Sequence, residues 1–183
     1  MPPMSAQHSP EHPSRSDQPT RRDVLIGGAV AAVAAVAAGA THAAAAAGTG
    51  RPVAVASANG LEAVRRAVER MATGVAPVEA AVEGVGLVEA NPEDLTVGYG
   101  GLPNADGVVQ LDACCMDGPT MRAGAVAALE GFRHPARVAL EVLRRTSRVL
   151  LVGGGAARFA RSVGFEEEEL LTDRARKIWL YWK

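Results

Sequence analysis

Cysteine, histidine and aromatic residues are all scarce in this chain, and each scarcity removes a class of function. Its two cysteines, Cys114 and Cys115, are neighbours, which provides neither metal-ligand spacing nor a loop-closing bridge. On a strand they point to opposite faces, as suits small buried apolar residues in a hairpin; a strained vicinal disulfide is the other reading. Three of the four histidines, His8, His12 and His42, fall in the Ala- and Pro-rich leader, so no metal site is expected. Aromatics make up 4% of the chain, so a core must be close-packed from small side chains, with little ring burial. Nineteen Lys and Arg against 20 Asp and Glu leave a net charge of −1, interspersed along the chain. No basic stripe then points to nucleic acid, and no acidic tail to a basic partner.

What is present begins with a leader. Thr20-Arg-Arg-Asp-Val-Leu25 heads an apolar stretch from Val24 to Ala40, and small residues continue through Ala47. A charged n-region, an apolar h-region and a small-residue zone read as an export signal over residues 1–47, cleaved between Ala43 and Ala47. The paired arginines fit the twin-arginine type, with Val24 where phenylalanine is usual. The protein is therefore expected in the periplasm or outside the cell, with no membrane attachment after cleavage. An uncleaved anchor is the alternative, but spanning takes about twenty residues and an Ala/Gly-rich helix is poorly favoured in hydrocarbon. From Arg51 to Lys183 the composition is globular and within the size of one core.

Periodicity over residues 51–183 predicts an α+β domain. Pro52 to Ser57 is β-prone, and Asn59-Gly60 turns the chain into a helix from Leu61 to Met71 with Leu61, Val64, Ala67, Val68 and Met71 on one face. Pro77 opens a second helix whose stripe is Val78, Ala81, Val82, Val85 and Val88-Glu89, and Asn91-Pro92 ends it. Asp106-Gly107 predicts a hairpin turn into a strand from Val108 to Met116, followed by a strand from Ala123 to Leu129. His134-Pro135 opens a helix through Arg145, Val149 to Val152 is a short strand, and further helices hold Arg158 to Arg161 and run on from Thr172. The expected arrangement has helices on both faces of an antiparallel sheet. Gly153-Gly-Gly155 between strand and helix could cradle an anion. However, Arg158 stands where a dinucleotide loop needs its third glycine and no Walker lysine follows, so a tight structural turn is the preferred reading.

The run Thr96-Val-Gly-Tyr-Gly-Gly-Leu-Pro-Asn-Ala-Asp-Gly-Val-Val-Gln-Leu-Asp-Ala-Cys-Cys-Met-Asp-Gly118 resembles the glycine-rich strand and hairpin of the glycosylasparaginases, the N4-(β-N-acetylglucosaminyl)-L-asparaginases. Further similar segments occur in the family's order: Pro77-Val-Glu-Ala-Ala81, Val88-Glu-Ala-Asn-Pro92, His134-Pro135 with Val138-Ala139, Val149 to Ala156, Gly164-Phe165, Leu170-Leu-Thr172 and Trp179. This collinearity, from about Pro52 to Trp182, is more specific than any one motif. It corresponds to the N-terminal, or α, part of an N-terminal nucleophile hydrolase, and the resemblance implies a share of a four-layer αββα sandwich that a C-terminal β-part completes.

The activity so implied is hydrolysis of the amide joining asparagine to N-acetylglucosamine, or of related β-aspartyl amides, without metal or organic cofactor. In the family the nucleophile is a threonine after His-Asp, freed by self-cleavage, and no His-Asp-Thr occurs among these residues. Site residues carry over at two positions. Thr96 stands where the family has a serine near the nucleophile's α-amine, although an ordinary β-branched strand residue is an equal reading. Asn59 is a candidate substrate contact, with a turn role before Gly60 as the alternative. Ala58 replaces a tryptophan that lines the family's site, which brings isoaspartyl peptides and free asparagine forward as substrates. Three readings follow: the N-terminal portion of a hydrolase, a subunit needing a partner chain, and a non-catalytic remnant. In each, a half sandwich leaves an apolar sheet face that drives association with the β-part or with itself.

Overall fold

The computed structural model describes residues 50–183, so the export leader expected over residues 1–47 lies outside the described residues. A 3-10 turn at Ala58–Gly60 leads into helix α1, Leu61–Ala72, and then α2, Pro77–Glu89. The chain reverses between them at Gly74, whose φ of 88° is open to glycine at no steric cost. The two helices press together at Gly84, where a Cβ would lie 2.3 Å from the Ala63 carbonyl oxygen. Arg70 adds a two-pronged ion pair to Glu83, 2.6 and 3.0 Å.

The sheet is β1, Leu111–Asp117, β2, Arg122–Leu129, and β3, Leu150–Val152, in that order. β1 and β2 pair antiparallel, setting Ala113 against Val126 and Cys115 against Gly124. β2 and β3 pair parallel, with Val126 opposite Leu151. The expected all-antiparallel sheet is thus corrected to a mixed one: helix α3, Pro135–Arg145, carries the chain back across the sheet, as a parallel pairing requires. A bulge breaks the ladder beside Ala113, where Ala128 takes a positive φ of 47° and its N–H donates to Asp112 Oδ1 at 2.7 Å.

Alternation along the strands divides the sheet into unlike faces. Ala113, Cys115, Val126 and Leu151 meet α3 and helix α4, Gly153–Ser162, in a core with Leu129, Phe132, Val138, Val142 and Ala156. Gly124 lets α3 sit directly on β2, since a Cβ there would fall 2.2 Å from the Ala139 carbonyl oxygen. α2 joins this side through Val78 and Val82, packed with Ala113, Cys115 and Leu140. The other face, with Cys114, Met116, Leu150 and Val152, is solvent-exposed. Helices on both faces were expected, but the described helices that pack on the sheet share one face. Cys114 and Cys115 do point oppositely, both as free thiols, and Cys114 is exposed rather than buried.

Three other expectations are corrected. Pro52 to Ser57 forms no strand: Val53 is 81% and Val55 94% exposed, because a β-prone segment without a pairing partner has no ladder to join. The returning strand starts at Leu111 rather than Val108, although the turn itself forms, with Gly107 N–H donating to the Asn104 carbonyl and Asn104 N–H to that of Val108. Gly153-Gly-Gly155 is the first turn of α4 rather than a separate loop. The last helix, α5, Asp173–Trp182, is capped by Thr172, whose Oγ1 accepts from Ala175 N–H, and docks through Ala175 on Val109, Leu111, Leu170 and Leu171.

Candidate active site

A groove of about 580 Å³ runs along the unpaired edge of β1. Its far wall is the stripe of α2 predicted from the sequence, Val78, Ala81, Val82 and Val85, and Thr96, Val97 and Gly98 close one end. The glycine segment that carries Thr96 is not a strand. Gly98 and Gly100 have φ of 60° and 93°, and a Cβ on Gly98 would lie 2.1 Å from the Glu89 carbonyl oxygen. The segment therefore wraps tightly over the end of α2, where Tyr99 N–H donates to that same carbonyl at 2.7 Å. The glycines mark close backbone packing in a turn, without the strand that the resemblance implied.

Asn59 and Thr96, nominated separately from the sequence, are brought together by a third residue. The Asp94 carboxylate accepts from Thr96 N–H at 2.8 Å and from the Thr96 hydroxyl, both on Oδ1. Its Oδ2 accepts from Asn59 Nδ2 at 2.9 Å, while Asn59 Oδ1 accepts from the Ser57 hydroxyl at 2.7 Å. The hydrogen bond from Thr96 above all, and that from Asn59, hold the Asp94 carboxyl below the usual aspartate range, against a smaller opposing effect of burial. Ala58, in place of the family's tryptophan, lies exposed beside Asn59 in the 3-10 turn.

Glu89 supplies the other anchor. It is 2% exposed, and its Oε1 accepts from Ala136 N–H at 2.9 Å while Oε2 lies 3.3 Å from His134 Nδ1. A carboxylate at the first turn of α3 satisfies an orphan amide and meets the positive end of the helix dipole. One residue thus ties the end of α2 to the start of α3 by its side chain and to the Thr96 segment by its carbonyl. Sequence reasoning missed both Asp94 and Glu89. An acid two places before Thr96 is a signal for a local side-chain turn, and the place of Glu89 at the end of the apolar stripe of α2 is a signal of burial, though not of its partners.

A second cleft, about 480 Å³, lies between α2 and α3 and is lined by Glu79, Glu83, Glu141, Arg66, Arg137 and Arg144. Glu79 and Glu141 both pair with Arg144, and Glu83 with Arg66 and Arg70, so its carboxylates answer to neighbouring arginines. Among the described residues no three His, Cys, Asp or Glu side chains gather as a metal site would require, and no helix is long and apolar enough to cross a membrane.

The order and spacing of these segments match known proteins. The model of the family described as Asparaginase matches residues 30–183. The chain is 42% identical over 135 residues to the N(4)-(Beta-N-acetylglucosaminyl)-L-asparaginase of Elizabethkingia miricola, covering 73% of this chain and 39% of that protein. It is 46% identical over 103 residues to a putative N(4)-(beta-N-acetylglucosaminyl)-L-asparaginase of Drosophila yakuba, 56% of this chain and 26% of that one. A plant-type L-asparaginase of Pyrococcus abyssi is 42% identical over 123 residues, 65% of this chain and 40% of that one. The chain belongs to the asparaginase family of amidohydrolases. It spans about two fifths or less of the length of these relatives.

Proposed function

We propose that this chain is the N-terminal, α-type portion of an exported amidohydrolase that opens the amide between asparagine and N-acetylglucosamine. The observation that carries the reading is the 42% identity to an N(4)-(Beta-N-acetylglucosaminyl)-L-asparaginase across 73% of the chain, together with Thr96 in the lining of the groove. In this reading a threonine following His-Asp, borne by a β-part, is freed by self-cleavage and attacks the substrate's side-chain carbonyl. Its own α-amine takes the hydroxyl proton and passes it to the departing glycosylamine as the C–N bond breaks. Water then splits the acyl-enzyme ester to release aspartate and restore the threonine, donors in an oxyanion hole stabilising both tetrahedral states. Thr96 stands by the α-amine and Asn59 near the substrate. No metal or organic cofactor takes part. The unpaired edge of β1 and the open sheet face receive the β-part, completing a four-layer αββα sandwich, and export follows the twin-arginine route to the periplasm or beyond.

A second reading, hydrolysis of free asparagine or isoaspartyl peptides, is favoured by Ala58. Without an indole at that place a large contact surface for a glycosylated substrate is missing, and a plant-type L-asparaginase shares the same 42% identity over a shorter span, 123 residues against 135. Assay of the complete gene product on N-acetylglucosaminyl-asparagine, asparagine and a β-aspartyl dipeptide separates the readings. Highest kcat/KM on the glycosylated substrate upholds the first, and preference for either of the others upholds the second. Absence of hydrolysis of all three, in a product that self-cleaves, refutes both.

A further inference from the structure

The geometry points to Asp94 as the positioning residue of this site: it clamps Asn59 to Thr96 and fixes the Thr96 hydroxyl as a hydrogen-bond acceptor for an incoming amine. The inference rests on the proposed role of Thr96 and goes beyond it by naming what sets the direction of that hydroxyl.

A threonine hydroxyl has one proton and two lone pairs. Here the proton is committed to Asp94 Oδ1, so Oγ1 meets any further partner with its lone pairs. What Thr96 then recognises must donate, and an α-amine or ammonium does. The carboxylate behind the hydroxyl polarises it in the same sense, strengthening its acceptor character. An Asx turn between Asp94 and Thr96 would account for a local contact. It does not account for Asn59, which reaches the same carboxylate from 35 residues earlier in the chain.

The amide of Asn59 can take only one orientation. With Oδ1 on the Ser57 hydroxyl, Nδ2 faces the carboxylate; flipping it would set an amide oxygen against Asp94 Oδ2. Three donors, Thr96 N–H, Thr96 Oγ1–H and Asn59 Nδ2–H, therefore converge on two carboxylate oxygens. Both oxygens are needed, and that requirement fixes the prediction. Asp94→Ala removes both acceptors and so breaks the Thr96 and the Asn59 link together, whereas Asp94→Glu keeps both acceptors on a stem one methylene longer.

In the complete gene product, Asp94→Ala is expected to lower kcat by about tenfold or more with KM changed less than about threefold, as for an interaction made chiefly in the transition state. Asp94→Glu recovers part of the loss. Thr96→Val lowers kcat similarly, and the double variant is no worse than Thr96→Val alone, because Asp94 acts through Thr96. Additive losses, or Asp94→Ala at the wild-type rate, would overturn the inference. Should the complete product hydrolyse none of the three amides, the proposed function fails and Asp94 is judged by NMR on the 183-residue chain with the exposed Met116, Leu150 and Val152 changed to lysine to keep it monomeric. There Asp94→Ala must shift both the Asn59 side-chain amide and the Thr96 amide, with unchanged circular dichroism. If either resonance stays in place, the clamp does not exist.

Discussion

On the side of the sheet turned to α3 and α4, Val126 is 1% exposed and Val138 and Val142 are fully buried. On the other side Met116, Leu150 and Val152 are 57, 50 and 54% exposed. Both sides are built from the same strands, residue by residue in alternation. An antiparallel pair facing water on one side ordinarily turns polar residues to that side. Here β2 presents Ala123, Ala125 and Ala127 instead, level with Met116, Cys114 and Val152 in the register. The strands are patterned for burial on both faces, and the described residues cover one. In the proposed reading, this open face is where a second sheet packs.

The largest expected effect on this contrast comes from Gly124→Val. The new side chain would press into the Ala139 carbonyl and the Leu143 amide, at 2.2 and 2.5 Å from its Cβ, and α3 could not stay seated. A loss of about 3 kcal/mol or more, read from urea unfolding, is expected for such overpacking. Glu89→Ala comes next: it leaves the buried Ala136 N–H without an acceptor and should cost about 1–3 kcal/mol. Val126→Ala on the covered face should cost about 2 kcal/mol in lost burial and cavity, whereas Val152→Ala on the open face should change stability by less than about 0.5 kcal/mol. Equal costs at those two valines would break the comparison. The smallest effect is on acidity. Because the folded Asp94 carboxyl sits below its unfolded range near 3.9, its links to Thr96 and Asn59 are fully present above that range and are lost as pH falls through the lower folded value. The Thr96 and Asn59 amide resonances should therefore move together on acidification, and only below about pH 4.

The helices were legible because each announces itself locally. Pro77 and Pro135 stand at first turns, the stripes have helical spacing, and Thr172 caps the last helix. What the strands do depends on partners distant in sequence. Val53 and Val55 alternate as strand residues do, yet no ladder takes them up, and the parallel pairing of β3 follows from where α3 lands on Gly124 rather than from anything within Leu150–Val152. The glycine segment failed as a strand for a related reason: Gly98 and Gly100 read equally as strand breaks or as contacts, and only the Glu89 backbone decides between them. At the site, Thr96 and Asn59 could be nominated one at a time, but their meeting at Asp94 is a fact of tertiary structure. Residue lists from sequence do not contain it.

That the open face is made for a partner is tested most directly by sedimentation of the 183-residue chain, with and without Met116, Leu150 and Val152 changed to lysine. Oligomers or aggregates for the unaltered chain are predicted, with a monomer of unchanged circular dichroism for the triple variant. A soluble, monodisperse monomer of the unaltered chain with a sharp thermal transition would contradict it.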